Sequence, residues 1–289
     1  MVYLVAITIL WAFSFSLIGV YLAGQVDAYF SVLTRVALAT VVFLPFIRRV
    51  PPLLAAKLML LGAIQLGCMY VFYYQSFLLL TVPEVLVFTI LTPIYVTLLF
   101  DLMKGRFSFR YLVTAVVAVL GAAIIRYSSI GNDIFSGFLV VQGANICFAI
   151  GQVGYKVLLE RENLKLPQRA FFGYFYLGAL VVTIVTWLLF GNPAKLPTTS
   201  LQWEILLYLG LIASGLGYFF WNKGATKVDA GTLAIMNNAL VPAGLIVNLI
   251  IWNRDANLTR LFLGGGVLLF SLLLHEYWGK RQNLRTQEI

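Results

Sequence analysis

Apolar residues run along this chain in stretches of about twenty, separated by short polar connections, and the polar positions inside a stretch are few and isolated. A helix rises 1.5 Å per residue, so about 20 residues cross a hydrocarbon layer of ~30 Å. The pattern predicts ten such spans, near Val2–Ala23, Tyr29–Ile47, Leu58–Leu79, Pro83–Leu99, Tyr111–Arg126, Ile134–Leu158, Ala170–Phe190, Trp203–Trp221, Ala230–Trp252 and Leu261–Tyr277. Continuous helices satisfy each backbone N–H and C=O internally, as lipid requires, and no stretch alternates with the period of two that a barrel strand needs. The expected class is an all-α integral membrane protein of ten transmembrane helices.

Composition agrees with this. The 289 residues are 61% apolar and 11% charged, with mean hydropathy +0.93. A water-soluble core cannot hide that much hydrocarbon, which excludes a soluble enzyme, a disordered adaptor and a disulfide-stapled secreted domain. Cys68 and Cys147 lie inside apolar stretches and form no disulfide framework, and the single histidine, His275, is too little for a metal cluster. No metal or cofactor is expected. The first apolar stretch is long enough to span and has no basic segment before it, so it reads as a membrane helix rather than a cleaved leader.

The net charge of +9 is scattered singly, in no stripe that could follow a phosphate backbone, so nucleic acid is not an expected partner. Its spacing has a topological meaning instead. One set of alternate connections carries Arg48, Arg49, Lys57, Lys104, Arg106, Arg110, Lys156, Arg161, Lys165, Arg169, Lys223, Lys227, Lys280, Arg281 and Arg285. The other set carries Arg126, Lys195, Arg254 and Arg260. Fifteen against four predicts that both termini face the cytoplasm of a bacterial inner membrane.

Five helices are an odd number, so a duplicated five-helix unit sits inverted relative to its twin. Aligning Gly62–Phe72 with Gly210–Phe220 matches five of eleven positions, including Gly62/Gly210, Gly67/Gly215 and Tyr70/Tyr218; one residue further out of step, Pro93 aligns with Pro242. The expected organisation is a first repeat over 1–130, a second over 131–279, and a short basic tail over 280–289. The site is then expected between the third and fourth helices of one half and the eighth and ninth of the other, with Pro93 and Pro242 as kinks.

No phosphate-binding loop, zinc-protease or nucleophile-elbow motif is present. What remains is a carrier, read from its polar residues at membrane depth. Arg35 lies about seven residues into the second span, roughly 10 Å from its outer end. It either snorkels to the headgroups, ties a broken helix end, or receives a substrate carboxylate with two-point geometry. Lys156 is a second basic candidate nearer the cytoplasmic side. Asn237 and Asn238 stand before Pro242, whose missing N–H frees the carbonyl of Asn238, so their amides repair the kink or read a neutral polar part of a substrate. Asn145 and Gln152 share a face of the sixth span and have the same two readings, as does Asn222. Glu84, following Pro83, caps the fourth span or serves as a coupling site. Of the aromatics, Trp11, Phe15, Tyr70, Tyr73, Tyr74, Tyr155, Tyr218 and Trp221 either pack the bundle or sandwich a small ring beside the amides, and Ser14 stands in the same first-span stretch as Trp11.

The chain resembles the EamA-type drug/metabolite transporter superfamily, and within it the branch that carries biotin. The resemblance runs over nearly the whole length. It rests on Ile9-Leu10-Trp11-Ala12-Phe13-Ser14-Phe15-Ser16, on Leu91-Thr92-Pro93, on Val153-Gly154-Tyr155-Lys156, and on Ala213-Ser214-Gly215 with Gly217-Tyr218-Phe219. Most specific is the tract from Trp221-Asn222 through Val228-Asp229-Ala230-Gly231-Thr232-Leu233 and Ile235-Met236-Asn237-Asn238 to Pro242-Ala243-Gly244. The resemblance implies a secondary carrier that works as a monomer in the lipid bilayer and imports biotin by alternating access. The alternatives are an exporter of amino acids or related metabolites and, from another class, a polytopic membrane enzyme or scaffold.

The predicted topology has a direct check. With Cys68 and Cys147 replaced, single thiols placed at each chain end are expected to resist a membrane-impermeant reagent in intact cells, while one at Lys195 is labelled. Labelling of one chain end alone would break the inverted arrangement.

Overall fold

The computed structural model describes residues 1–103, 132–162, 166–228 and 230–252, with single positions between 105 and 117 and between 259 and 278. Among the described residues every regular element is helical. Eight helices among these residues are long and apolar enough to cross a membrane: α1 Val2–Leu22, α2 Ala28–Phe46, α3 Pro52–Leu79, α4 Val82–Met103, α5 Phe135–Glu162, α6 Phe172–Phe190, α7 Ser200–Ala225 and α8 Thr232–Trp252. They correspond to spans one to four and six to nine of the sequence pattern. The fifth and tenth, together with Asp229 and His275, lie outside the described residues apart from isolated positions.

Several helices overrun their apolar stretch. α3 begins at Pro52 rather than near Leu58, because Pro51 is extended and Pro52 fits the first helical turn, where its missing N–H costs nothing. At 28 residues α3 is roughly 42 Å long, more than the hydrocarbon alone requires. Its Lys57 lies in this overhang and pairs with Glu162 at the end of α5, 2.9 Å away. The starts of the helices carry local caps. Asp27 accepts from the Phe30 N–H at 2.8 Å ahead of α2, Thr81 and Glu84 form a capping box on α4, and Thr199 and Gln202 form one on α7.

The packing follows a simple scheme. α1 lies against α7 and α8; α2 against α6 and α7; α3 against α5 and α6; and α4 against α5 and α8. The connection after α1 meets that after α6 at one end of the bundle, where the Asp27 N–H donates to Lys195 O at 2.7 Å and Asp27 accepts from Asn192 N–H at 3.0 Å. At the other end the Arg48 N–H donates to Ala170 O at 2.7 Å, and Gln168 Nε2 donates to Thr226 Oγ1 at 3.2 Å. α6 shows the two-faced pattern of a lipid-facing helix: Phe175, Tyr176, Gly178 and Ala179 are buried, while Val181, Val185, Leu188 and Leu189 are exposed.

Two helices leave α geometry within the stretch that matched in sequence. α3 is π-helical over Ala63–Cys68 and α7 over Tyr208–Leu216. Near the first, α3 and α6 touch backbone to backbone: a Cβ on Gly62 would overlap the carbonyl of Phe175, and one on Gly178 that of Met59. Here glycine is required by proximity. Gly178→Ala is expected to lower stability by about 3 kcal/mol, since backbone cannot yield as a side-chain tip can. Gly266→Ala, which faces open space, is expected to be silent. Thermal unfolding of the detergent-purified variants decides.

Candidate functional site

The capped start of α2 sets its register, and the helix then buries Ser31, Val32, Arg35, Val36 and Ala39 on one face. Arg35 therefore points into the bundle and is 2% exposed, so it does not snorkel to the headgroups. Its Nε donates to Ser214 Oγ at 3.1 Å, Nη1 to Tyr74 Oη at 3.1 Å and Nη2 to Tyr70 Oη at 2.6 Å. Tyr70 Oη and Ser214 Oγ are themselves 2.7 Å apart. The guanidinium carbon stands 4.2 Å from the Tyr70 ring centroid, within cation–π range. No carboxylate among the described residues forms an ion pair with Arg35; the pairs there are Lys57–Glu162 and Lys156–Glu160.

The π-helical turn of α7 makes this arrangement possible. A widened turn leaves carbonyls off the regular ladder. Trp11 Nε1 donates to Ala213 O at 2.8 Å, and Tyr176 Oη donates to Ser214 O at 2.9 Å and to Gly215 O. The segment is thereby held from both sides while the Ser214 side chain faces Arg35.

A second break shapes the opposite wall. α4 runs as α-helix to Phe88, as 3-10 helix over Thr89–Leu91, and as α-helix again from Thr92. Pro93 has no N–H for the carbonyl of Thr89, and Thr92 Oγ1 donates to it instead at 2.8 Å. The Phe88 carbonyl accepts from Asn145 Nδ2 at 3.1 Å and from Gln142 Nε2 at 3.3 Å, both on α5. On α8, Asn237 Nδ2 donates to Leu233 O at 2.8 Å. Its amide also exchanges two bonds with Gln152, at 3.2 and 3.3 Å. Trp221 Nε1 donates to the same Gln152 oxygen at 3.1 Å.

Between these walls lies a cavity, open at its mouth, whose interior offers about 90 Å³ to a water-sized group. Of the residues expected from sequence, Trp11, Ser14, Arg35, Tyr70, Asn145 and Asn237 line it. Tyr74, Gln152 and Trp221 do not line it but hold residues that do: Tyr74 bonds Arg35, Gln152 bonds Asn237, and Trp221 packs on Trp11 with ring centroids 5.0 Å apart. Asn222 donates to Tyr218 O within its own helix, and Asn238 has neither a partner among the described residues nor a place on the wall. Tyr155 sits deeper, against Phe172, with its hydroxyl 3.4 Å from Gln168, and Lys156 pairs with Glu160 at 2.7 Å. Both stand away from the cavity, so of the two basic candidates only Arg35 reaches it. Glu84 Oε2 accepts from Thr81 N–H and Oγ1 at 2.8 and 2.9 Å, the capping geometry, and also lies off the wall. Pro93 is buried beside the break in α4, whereas Pro242 lies on an exposed face of α8.

Sequence reasoning did not single out Thr89, Thr92, Met69, Ala144, Phe148 or Leu240 as cavity residues, and left Phe15, Tyr73 and Tyr218 between packing and lining. The signal was present in helical spacing. Phe148 lies three residues after Asn145, Phe15 four after Trp11, Ile18 four after Ser14 and Leu240 three after Asn237, each within about one helical turn on the same face.

Comparison with known proteins places the chain. The EamA-like transporter family matches residues 135–275. A protein of Pseudomonas aeruginosa named "Probable biotin transporter" is 57% identical over 282 residues, covering 97% of this chain and 98% of its own. Proteins named "Biotin transporter" from Escherichia coli K12 and Salmonella typhimurium are each 52% identical, covering 100% of this chain and 97% of theirs. A crystal structure at 15% identity superposes with TM-score 0.67 over 97% of this chain and 98% of that one, which establishes a shared fold.

The amide pair behind the cavity generates a stability expectation. Gln152→Leu leaves the Trp221 N–H, the Asn237 oxygen and one Asn237 N–H without their partners, at a cost of about 1–3 kcal/mol for each that stays buried. A thermal midpoint equal to that of the parent protein would mean that none of these bonds matters.

Proposed function

We propose that this chain, which belongs to the EamA-like transporter family, imports biotin across the bacterial inner membrane by alternating access. One observation carries the reading. Arg35 is buried at membrane depth, has no acidic partner among the described residues, and faces a cavity whose other walls are aromatic, aliphatic, hydroxyl and amide side chains without a charge. Three of its N–H bonds are engaged, all by neutral hydroxyls. A guanidinium has five, so two remain for a ligand. A cation so held lacks its counter-charge, and a ligand carboxylate supplies one with matching fork geometry.

Biotin fits this polarity. Its valerate acid meets Arg35; its apolar fused ring lies against Trp11, Phe148 and Tyr218; and its ureido group turns toward Asn145 and Asn237. The names of the full-length relatives support the same ligand.

The architecture we propose is ten spans in two inverted halves, 1–130 and 131–279, with the tail 280–289 and both termini cytoplasmic. Exchanging the halves maps the observed packing onto itself. The α1–α8 contact becomes α5–α4, α1–α7 becomes α5–α3, α3–α6 becomes α7–α2, and α2–α6 and α4–α8 return to themselves. The paired π-helical segments in α3 and α7 obey the same exchange. The end carrying Arg48, Lys57 and Arg169 is the cytoplasmic one by its basic residues. Transport then consists of one half rocking on the other around the cavity. A single copy encloses that cavity, which supports action as a monomer.

Cells lacking other biotin uptake are expected to accumulate radiolabelled biotin when they express this protein. Arg35→Ala is expected to cut uptake about 100-fold with protein still folded in the membrane, as for loss of one partner of a buried charge pair. Arg35→Lys restores little, because an ammonium lacks the planar fork, and Lys156→Ala leaves uptake intact. Normal transport by Arg35→Ala would return Arg35 to a structural role.

A further inference from the structure

The polar groups around the cavity are not evenly divided between donors and acceptors. On the side formed by α4, α5 and α8 they are Thr89, Thr92, Asn145 and Asn237. Thr89 Oγ1 donates to Leu86 O at 2.7 Å, and Thr92 Oγ1 to Thr89 O at 2.8 Å, so each hydroxyl proton is already engaged. Asn145 Nδ2 gives its two protons to Phe88 O at 3.1 Å and Gln142 Oε1 at 3.0 Å. Asn237 Nδ2 gives its two to Leu233 O at 2.8 Å and Gln152 Oε1 at 3.2 Å.

The amide orientations are forced. A backbone carbonyl only accepts, so the nitrogens of Asn145 and Asn237 must face Phe88 and Leu233. Trp221 Nε1 only donates, so the oxygen of Gln152 must face it, and its nitrogen then faces Asn237 Oδ1. Every valence these four residues have left over is a lone pair. Across the cavity stand free donors: Arg35 keeps two N–H bonds, and the Ser14 hydroxyl, which can donate as well as accept, has no partner among the described residues.

We propose that the α4–α5–α8 wall is an acceptor-only surface that selects ligands by N–H donors at the end remote from their acid. Asn145 and Asn237 are its specificity-determining residues. Resting on the reading that biotin binds here with its acid on Arg35, the wall takes the two ureido N–H groups and not the ureido carbonyl. A ligand that turns a carbonyl or a second carboxylate to this wall sets lone pair against lone pair and is excluded. A ligand with an N–H there completes bonds the protein has left open.

The test is competition against labelled biotin for uptake into proteoliposomes of the full-length protein, with three unlabelled probes. The first is 2-thiobiotin, which keeps both N–H groups and replaces the ureido oxygen by sulfur. The second is the lactam in which CH2 replaces one ureido N–H. The third is biotin carboxamide, which neutralises the acid. 2-Thiobiotin is expected to compete close to biotin itself, and the lactam about tenfold to a hundredfold more weakly. A lactam that competes as well as biotin, or a 2-thiobiotin that loses while the lactam does not, overturns the proposal.

Biotin carboxamide competing as well as biotin would instead overturn the acid–Arg35 reading and leave the ranking of the other two intact. Failure of biotin itself to be taken up removes both. In Asn145→Ala the ratio of lactam to biotin inhibition constants is expected to fall toward one, and an unchanged ratio would strip Asn145 of its part. The ranking on the parent protein stands whether or not that variant folds.

Discussion

A guanidinium held in the middle of a membrane protein is the constraint around which the rest is arranged. At the depth of Arg35, hydrocarbon would charge at least a few kcal/mol for an unpaired cation. The protein meets this with three hydroxyls from two helices, Tyr70 and Tyr74 on α3 and Ser214 on α7, and with the face of Tyr70. These groups stabilise the charge without cancelling it. Had an aspartate stood where Ser214 stands, the cation would be quiet and the cavity would have no reason to want an anion.

Holding Arg35 in this way dictates where helices may be irregular. Ser214 reaches it from a π-helical turn, and such a turn leaves carbonyls that lipid would not forgive. Trp11 and Tyr176 satisfy them from neighbouring helices. The same logic operates at the break in α4, where Thr92 and the α5 amides Gln142 and Asn145 take up the carbonyls of Thr89 and Phe88. Several of the side chains that repair the backbone also line the cavity. Repair uses up their protons, and the chemical character of the cavity wall follows from the mending of the helices around it.

Not all of this was legible along the chain. Arg35, Asn145 and Asn237 stand out because a polar group in an apolar stretch needs a reason. Thr89 and Thr92 do not, since a threonine can bond its own helix and pass unnoticed. Gln152 and Trp221 were read as site residues and stand behind the cavity wall instead, a distinction that depends on which atom faces which neighbour. Lys156 and Tyr155, adjacent to the right face, are drawn away by Glu160 and by the Phe172–Phe175 cluster, partners that no spacing rule ranks.

The sequence by itself determined that the chain is helical, that it lives in lipid, which connections share an end of the bundle, and which few polar residues lie at depth. Each of these follows from local quantities: the length of an apolar stretch, the alternation of basic loops, the cost of one side chain in hydrocarbon. Tertiary structure alone decided that α3 and α7 would widen into π turns, that Arg35 would meet hydroxyls and no carboxylate, and that the far wall would show only oxygen lone pairs. Those outcomes depend on which donor meets which acceptor between helices far apart in sequence, as with Trp11 and Ala213, separated by 202 positions. Such pairings exist only once the bundle has closed and each buried polar group has had to find a partner.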